Sequence, residues 1–520
     1  MRLKSNIAFT SLFLVLMILI SACGNNAGGN TASPAATNQS GTTGVNETGS
    51  NETEAGKLDP VELTWYFPNT PQNMKDVAMV QDAMNVIVQS KINAKIKLIP
   101  VDWGTYDQKM NVMTGAGDTF DLMFTAPWSN NYFQNVSKGA LLPLDDLLTE
   151  YAPTLKAAVP DSVWNAARVN QKIYGAINWQ IIAMPYGLQV NQSYIDKYKI
   201  DLNAVQKYED MEPYLAAWNE SYDPLNYAKD DADPFTRQPP YFEMDSIGED
   251  TSVGWIRLDD SETQVFNQYA SDEFKGFVQL MRKWYQAGYF PKDAALRTSV
   301  ERAADAKAGK ISLFGIGSPI KPGVELEAKA SLNVDQKFKP LSKAIITTNR
   351  SIATMTGISA TSKNPERAMM FLELMNSDKE LYNLICNGIE GVHYNKTADN
   401  VIEKVKDNNG YNPVTDWLFG NQFNAYYTSP DAVGIWEETL ELNLTADASP
   451  LLGFTFNPDP IKSEIAQTNA VYAQYKDALL SGTADPDKLL PEFLDKLNKA
   501  GAEKVIAEKQ RQIEEWKKIR

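Results

Sequence analysis

The chain has 520 residues and a formal net charge of −16, too long for one ordinary core and therefore expected to form two or more lobes. So acidic a surface argues against nucleic acid, whose phosphates need Lys and Arg to replace counterions, and equally against tight association with anionic substrates. With two cysteines and a single histidine, His393, a Cys/His zinc centre is excluded, and a Ser-His-Asp triad is open only with His393 as its base. No metal and no other cofactor is expected.

Met1 to Cys23 reads MRLKSNIAFTSLFLVLMILISAC. Arg2 and Lys4 open it, Ile7 to Ile20 is mostly apolar, and the small residues Ser21 and Ala22 close it, the order of an export signal over residues 1–22. A plain membrane anchor is the alternative, disfavoured because the apolar run is short and turns abruptly polar. Ile20-Ser21-Ala22-Cys23 resembles the bacterial lipobox, which implies cleavage before Cys23 and lipidation of its thiol. The mature chain of 498 residues would carry −18 after loss of Arg2 and Lys4 and would sit on the outer face of the cell membrane without a spanning helix. With Cys23 lipidated, Cys386 has no disulfide partner and reads as a buried thiol among apolar neighbours. Residues 23–57 are Gly, Asn, Thr, Ser and Ala with almost no large apolar side chain, the composition of a flexible tether. The Asn-X-Ser/Thr triplets at Asn38, Asn46 and Asn51 read as low complexity rather than glycan sites.

From Leu58 the elements alternate. VELTWYF (Val61 to Phe67) reads as a strand, and Gln72 to Ser90 has helical apolar spacing. AKIKLIPV (Ala94 to Val101) reads as a strand, Tyr106 to Met113 as a helix closed by Gly115-Ala116-Gly117, and FDLMFT (Phe120 to Thr125) as a short buried strand. This order predicts an α/β fold with a parallel sheet, whose ligands lie outside the carboxyl ends of the strands. That rule selects the loops Pro68-Asn69-Thr70, Asp102-Trp103 and Trp128-Ser129-Asn130-Asn131. Later, Met184 to Val190 reads as extended, and Asn364-Pro365-Glu366 opens an amphipathic helix with Ala368, Phe371, Leu372 and Met375 facing inward. Glu220 to Asp260 reads as long surface loops; its acidic run Lys229-Asp230-Asp231-Ala232-Asp233 lacks the glycine turn and terminal Glu of an EF-hand and reads as solvated.

FDLMFTAPW, GALLPLDDLL, NQKIYGAINWQ and PYGLQVNQSYI, in this order, resemble the bacterial extracellular solute-binding proteins of carbohydrate importers. NPERAMMFLELMNSDKELYNLICNGIEGVHY and the C-terminal LLGFTFNPDPIKSEIAQ resemble the LipO-like lipoprotein subgroup, which has its own C-terminal domain. The resemblance implies a two-lobed periplasmic-binding-protein-like fold with hinge crossovers and a ligand cleft between the lobes. It assigns residues 58–186 plus about 355–400 to the first lobe. The second lobe takes 187–354 plus about 401–520, including a helical C-terminal region.

Sugars present apolar ring faces to aromatic side chains and hydroxyls to amides and carboxylates, so aromatics near strand ends and crossovers are the ligand candidates. Trp65 and Tyr66 lie near the end of the first strand, although adjacent side chains point opposite ways and one of them must face the core. Trp103 and Trp128, with Asn130 and Asn131, lie on the selected loops. Trp179 and Tyr186 flank the first crossover, as ligand contacts or as a hinge wedge. Glu390 and His393, in a Gly-flanked turn, either meet the ligand or tie the loop to its neighbours, the second reading being favoured. Trp255, Trp436 and the stretch Phe419 to Phe423 are the second-lobe candidates. The expected function is capture of an oligosaccharide by hinge closure and delivery to the transmembrane permease subunits of an ABC importer, by a monomer held to the membrane through lipid. An extracellular carbohydrate-active enzyme, a receptor for a peptide or other non-sugar solute, and a surface sensor or scaffold are the alternatives.

Overall fold

A computed structural model describes residues 58–218, 233–248, 250–307, 315–406 and 410–519. The leader, Cys23, the tether and most of the acidic run at 229–233 lie outside the described residues. The first three strands and two helices follow the expected order: β1 Val61–Pro68, α1 Val77–Ile92, β2 Ala94–Val101, α2 Trp103–Ala116 and β3 Leu122–Thr125. β1 lies between β2 and β3, parallel to both. Leu63, Trp65 and Phe67 share its buried face, as a period of two requires. Two further strands extend the sheet: Met355–Ile358, antiparallel to β3, and beyond it Ala176–Ile177.

Local signals explain the boundaries. α1 begins later than the apolar spacing suggests because Pro71–Asn73 makes a separate 3-10 turn and Met74 bridges to Tyr411. It ends at Asn93 in the left-handed conformation, which Asn tolerates better than most residues. α2 begins at Trp103, where the Asp102 carboxylate accepts from the Gly104 amide at 2.9 Å, and ends at left-handed Gly117. β2 is an edge strand, and α1 covers its edge. The Asn85 amide exchanges two hydrogen bonds with the Ile96 backbone (2.7 and 3.1 Å), and Gln81 accepts from the Leu98 amide at 2.9 Å. Such side-chain pairing blocks the edge against another strand.

The second sheet has three antiparallel strands, with Tyr186–Asn191 between Gly315–Pro319 and Gln336–Pro340. The interior separates into two large apolar cores, the two lobes of the fold. The first gathers residues from Leu63 to Ala183, then Ile346 to Cys386, and also Tyr411, Leu418, Phe419, Ala425 and Leu452; these last five, with Ile346 and Ile352, come from stretches expected in the second lobe. The second core gathers Leu188 to Ile316 with the helices Lys462–Leu480 and Pro486–Lys499. A smaller cluster joins Ile247, Ile256 and Val265 to Leu451, Phe454, Phe456 and Ile513 of the C-terminal region.

Three lengths of chain pass between the cores and are bonded to one another. Ile345–Ile346 pairs in parallel with Asp447–Ala448. Thr348 Oγ1 donates to the Leu451 carbonyl at 3.1 Å and accepts from the Gly453 amide at 3.0 Å. Asn443, on the helix Ile435–Thr445, accepts from the amides of Ile182 and Ala183 (2.9 and 3.3 Å) and donates to the Gln180 carbonyl at 2.7 Å. A single buried amide thus supplies the partners that a strand would otherwise give this crossover.

Candidate functional site

The carboxyl ends of β1, β2 and β3 carry a cluster of three indoles. Trp103 opens α2 directly after β2, Trp128 lies on the loop after β3, and Trp417 comes from the 3-10 turn Asp416–Leu418. Trp103 stacks with Trp128 at 6.0 Å between ring centroids, and Trp417 lies 6.2 Å from Trp103 and 6.3 Å from Trp128. Trp103 and Trp417 are half-buried, whereas Trp128 is 55% exposed. The Trp128 indole N–H donates to the Ala353 carbonyl at 2.7 Å, so what Trp128 offers to solvent is its apolar ring.

The loop that presents Trp128 is held on every side. Asn130 sits at φ +43°, buried, with its side-chain amide donating to the Phe124 carbonyl at 2.8 Å and accepting from Asn135 at 3.0 Å. Its backbone N–H donates to Asp107 at 2.9 Å, and Ser129 Oγ donates to the same oxygen at 2.7 Å. Asn131 caps the helix Tyr132–Ser137 by accepting from the Gln134 amide at 3.0 Å, and it donates to the Pro127 carbonyl at 2.7 Å. Both amides are thereby committed to the loop, and they serve the site by fixing where Trp128 stands. Gln180 donates to Thr354 Oγ1 at 2.9 Å, and Thr354 donates on to the Trp417 carbonyl at 3.2 Å, which ties the third indole to the first crossover.

The other candidates stand elsewhere. Trp65 is completely buried, edge-on to Phe67, Phe371 and Phe419. Tyr66, on the opposite face of β1, is half-buried beside Phe120 and under the Lys109 ammonium. Burial, with the Asp118 carboxylate adding to it, raises the Tyr66 hydroxyl above its ordinary pKa. β1 runs on to Pro68, so neither ring reaches the strand-end loops. Trp179 is enclosed against Phe423, and Trp255 is enclosed in the second core, stacked on Phe235 at 5.5 Å. Tyr186 is buried at the start of its strand, its hydroxyl accepting from Arg350 at 2.5 Å. Trp436 is half-buried against Val401, Tyr427 and Ala432.

Glu390 is exposed and pairs with Lys396 at 3.2 Å. His393 is buried: Nδ1 accepts from the Ile389 amide at 2.9 Å, and Nε2 faces the Asp76 carboxylate at 3.3 Å. Gly388, at φ +81°, lies against this imidazole, where a Cβ would stand 2.4 Å from Nδ1. The ring ties its loop to the residue that precedes α1. The acidic stretch also differs from a fully solvated loop. Asp233 is buried and accepts from the Phe235 and Thr236 amides, the Thr236 hydroxyl and the Tyr472 hydroxyl.

Trp417 was not singled out in the sequence. Only its place just ahead of the FGNQF stretch hinted at it, and no spacing connects it to indoles some 300 residues earlier. Among the described residues, no three His, Cys, Asp or Glu side chains are grouped so as to hold a metal ion, and no helix is long and apolar enough to cross a membrane.

Residues 80–381 match the model of the bacterial extracellular solute-binding protein family, and residues 450–518 match a domain of unknown function, DUF3502. A carbohydrate ABC transporter substrate-binding protein of Streptococcus pneumoniae serotype 4 is 30% identical over 466 residues, 88% of this chain and 91% of the relative. The crystal structure of the N-glycan transport solute binding protein NgtS from Streptococcus pneumoniae has a TM-score of 0.76 at 28% identity, over 88% of this chain and 99% of that one. An extracellular solute-binding protein from Bifidobacterium longum subsp. infantis, at 16% identity, shares the fold with a TM-score of 0.62 over 87% of this chain and 98% of that one. The chain belongs to the bacterial extracellular solute-binding proteins, of the carbohydrate ABC-transporter type, which bind a sugar for a cognate permease rather than transform it.

Proposed function

We propose that this protein captures an oligosaccharide containing mannose and N-acetylglucosamine, by closure of the two lobes about their crossovers, and delivers it to the permease as a monomer. The observation that carries the reading is the cluster Trp103, Trp128 and Trp417 at the carboxyl ends of the parallel strands, where open α/β sheets take their ligands. An indole whose N–H is already engaged offers a flat apolar face, the complement of the C–H face of a pyranose. The ligand class comes from NgtS, whose structures include complexes with Man1GlcNAc and Man5GlcNAc. Those complexes superpose on this chain with TM-scores of 0.66 and 0.64, against 0.76 for the first structure of the same protein. Such a spread supports a movement of the lobes on binding.

In this reading Trp103, Trp128 and Trp417 contact the sugar, while Asn130 and Asn131 position the loop. Tyr186 belongs to the crossover, and the first lobe includes residues 411–425. Residues 1–22 are an export signal, Cys23 carries lipid, and 23–57 tether the folded part to the outer face of the membrane. The test is calorimetric titration and thermal shift with mannosyl-N-acetylglucosamine and its pentamannosyl homologue. A ligand that binds only the native form raises the apparent melting temperature. Saturable binding without product is expected. No response to either glycan, with a response to a peptide, refutes the proposal. The anchor is tested separately by metabolic labelling with palmitate, where Cys23→Ala must abolish the label and release the protein from the membrane.

A further inference from the structure

Among the described residues, eleven other than glycine have positive φ, and three of these are β-branched: Ile247, Thr263 and Val414. A β-branched side chain in this region is strained, and such strain persists only where something outweighs it. For Ile247 and Thr263 burial outweighs it, since both are enclosed and Ile247 fills an apolar cluster. Val414 has φ +56° and is 69% exposed, so no packing accounts for it. An Asn or Gly would hold the same turn without strain.

The turn is nevertheless fixed. Asn69, fully buried at the end of β1, donates through Nδ2 to the Pro413 carbonyl at 3.3 Å and to Thr415 Oγ1 at 3.0 Å, the two residues flanking Val414. The Asn69 backbone N–H donates to the Val101 carbonyl at 2.8 Å, two residues before Trp103. Three residues after Val414 comes Trp417. A rigid, strained turn therefore stands at the indole end of the sheet and holds an apolar side chain out to solvent.

We infer that Val414 is a ligand-contacting, specificity-determining residue that takes the methyl of an acetamido group on the bound sugar. This rests on the reading of the protein as a receptor for an N-acetylhexosamine-containing glycan. A hexopyranose that bears only hydroxyls presents its apolar surface as ring faces, which the indoles take. An exposed isopropyl group at the same end of the sheet suits an apolar substituent that stands off the ring, and the acetamido methyl is that substituent in the glycan proposed.

The test is calorimetric titration of wild type, Val414→Gly and Val414→Asn with mannosyl-N-acetylglucosamine and with the matching mannosyl-glucose disaccharide. Both substitutions suit a left-handed residue, so both variants should fold with melting temperatures equal to or above wild type. Wild type should prefer the N-acetyl sugar by about 10-fold, the lower end of what one apolar contact discriminates. Both variants should lose that preference while binding the glucose disaccharide as wild type does. If wild type binds the N-acetyl sugar and the variants keep the full preference, the role of Val414 is refuted and the receptor reading stands. If wild type binds neither disaccharide nor the pentamannosyl glycan, both are refuted.

Discussion

Replacing Trp128 by Ala separates a ligand platform from a structural indole. Trp128 is 55% exposed, which leaves about 140 Å² open from a side chain of about 250 Å². A stacked sugar covers one face, about half of that open area, and at about 25 cal/mol per Å² this contributes about 1.7 kcal/mol. Trp128→Ala should therefore raise Kd for mannosyl-N-acetylglucosamine about 20-fold. The enclosed remainder of the ring and its hydrogen bond to Ala353 set an upper limit of about 4 kcal/mol on the loss of stability. Titration well below the melting temperature, with circular dichroism as the control for folding, reads the two effects apart. The contrast is Trp65→Ala, at a completely buried position, which should cost about 3–5 kcal/mol. A change in affinity of less than twofold for Trp128→Ala refutes the assignment of the indole cluster to the ligand.

Three further outcomes follow from the same geometry. Asn443→Ala removes the acceptor of two buried amides, Ile182 and Ala183, and should cost about 2–4 kcal/mol in urea unfolding; a loss below about 0.5 kcal/mol contradicts the clasp. Glu508, on the C-terminal helix, has its carboxyl pushed down to about 2, chiefly by Arg511 at 2.5 Å and then by Gln512. A lowered acid pKa stabilises the fold above the ordinary glutamate value, and that contribution is lost as pH falls from there toward 2. The melting temperature of Glu508→Gln should thus lie below wild type at pH 7, by an amount worth about 0.3–1 kcal/mol because solvent screens the pair, and the difference should shrink steadily as pH falls toward 2. Cys386 is enclosed, and burial, with the Asp416 charge adding to it, pushes its thiol well above the usual range. A form lacking residues 1–23 should leave Ellman's reagent unreacted at pH 8 until urea is added, and rapid native reaction would contradict that burial.

Periodicity and local chemistry determined much of the first lobe. The alternation Leu63, Trp65, Phe67 fixes a strand face, Asp102 and Gly117 bound α2, and Asn364-Pro365 opens the helix Pro365–Ser377. Each of these depends on residues a few positions apart, where a chain carries its own instructions. The strand–helix alternation also pointed to the strand-end loops, and two of the three clustered indoles, Trp103 and Trp128, stand on them. Only the tertiary structure decided which aromatics open to solvent. Trp65, Trp179 and Trp255 were ligand candidates alongside Trp128, yet other segments of the chain cover them: Phe371 and Phe419, Phe423, and Phe235 respectively. The same kind of long-range contact brings Trp417 beside Trp103 and sets Asn443 against Gln180 to Ala183. The sequence determines how a side chain leaves its strand or helix; whether it ends in core or in solvent is decided by what the rest of the chain packs on top of it.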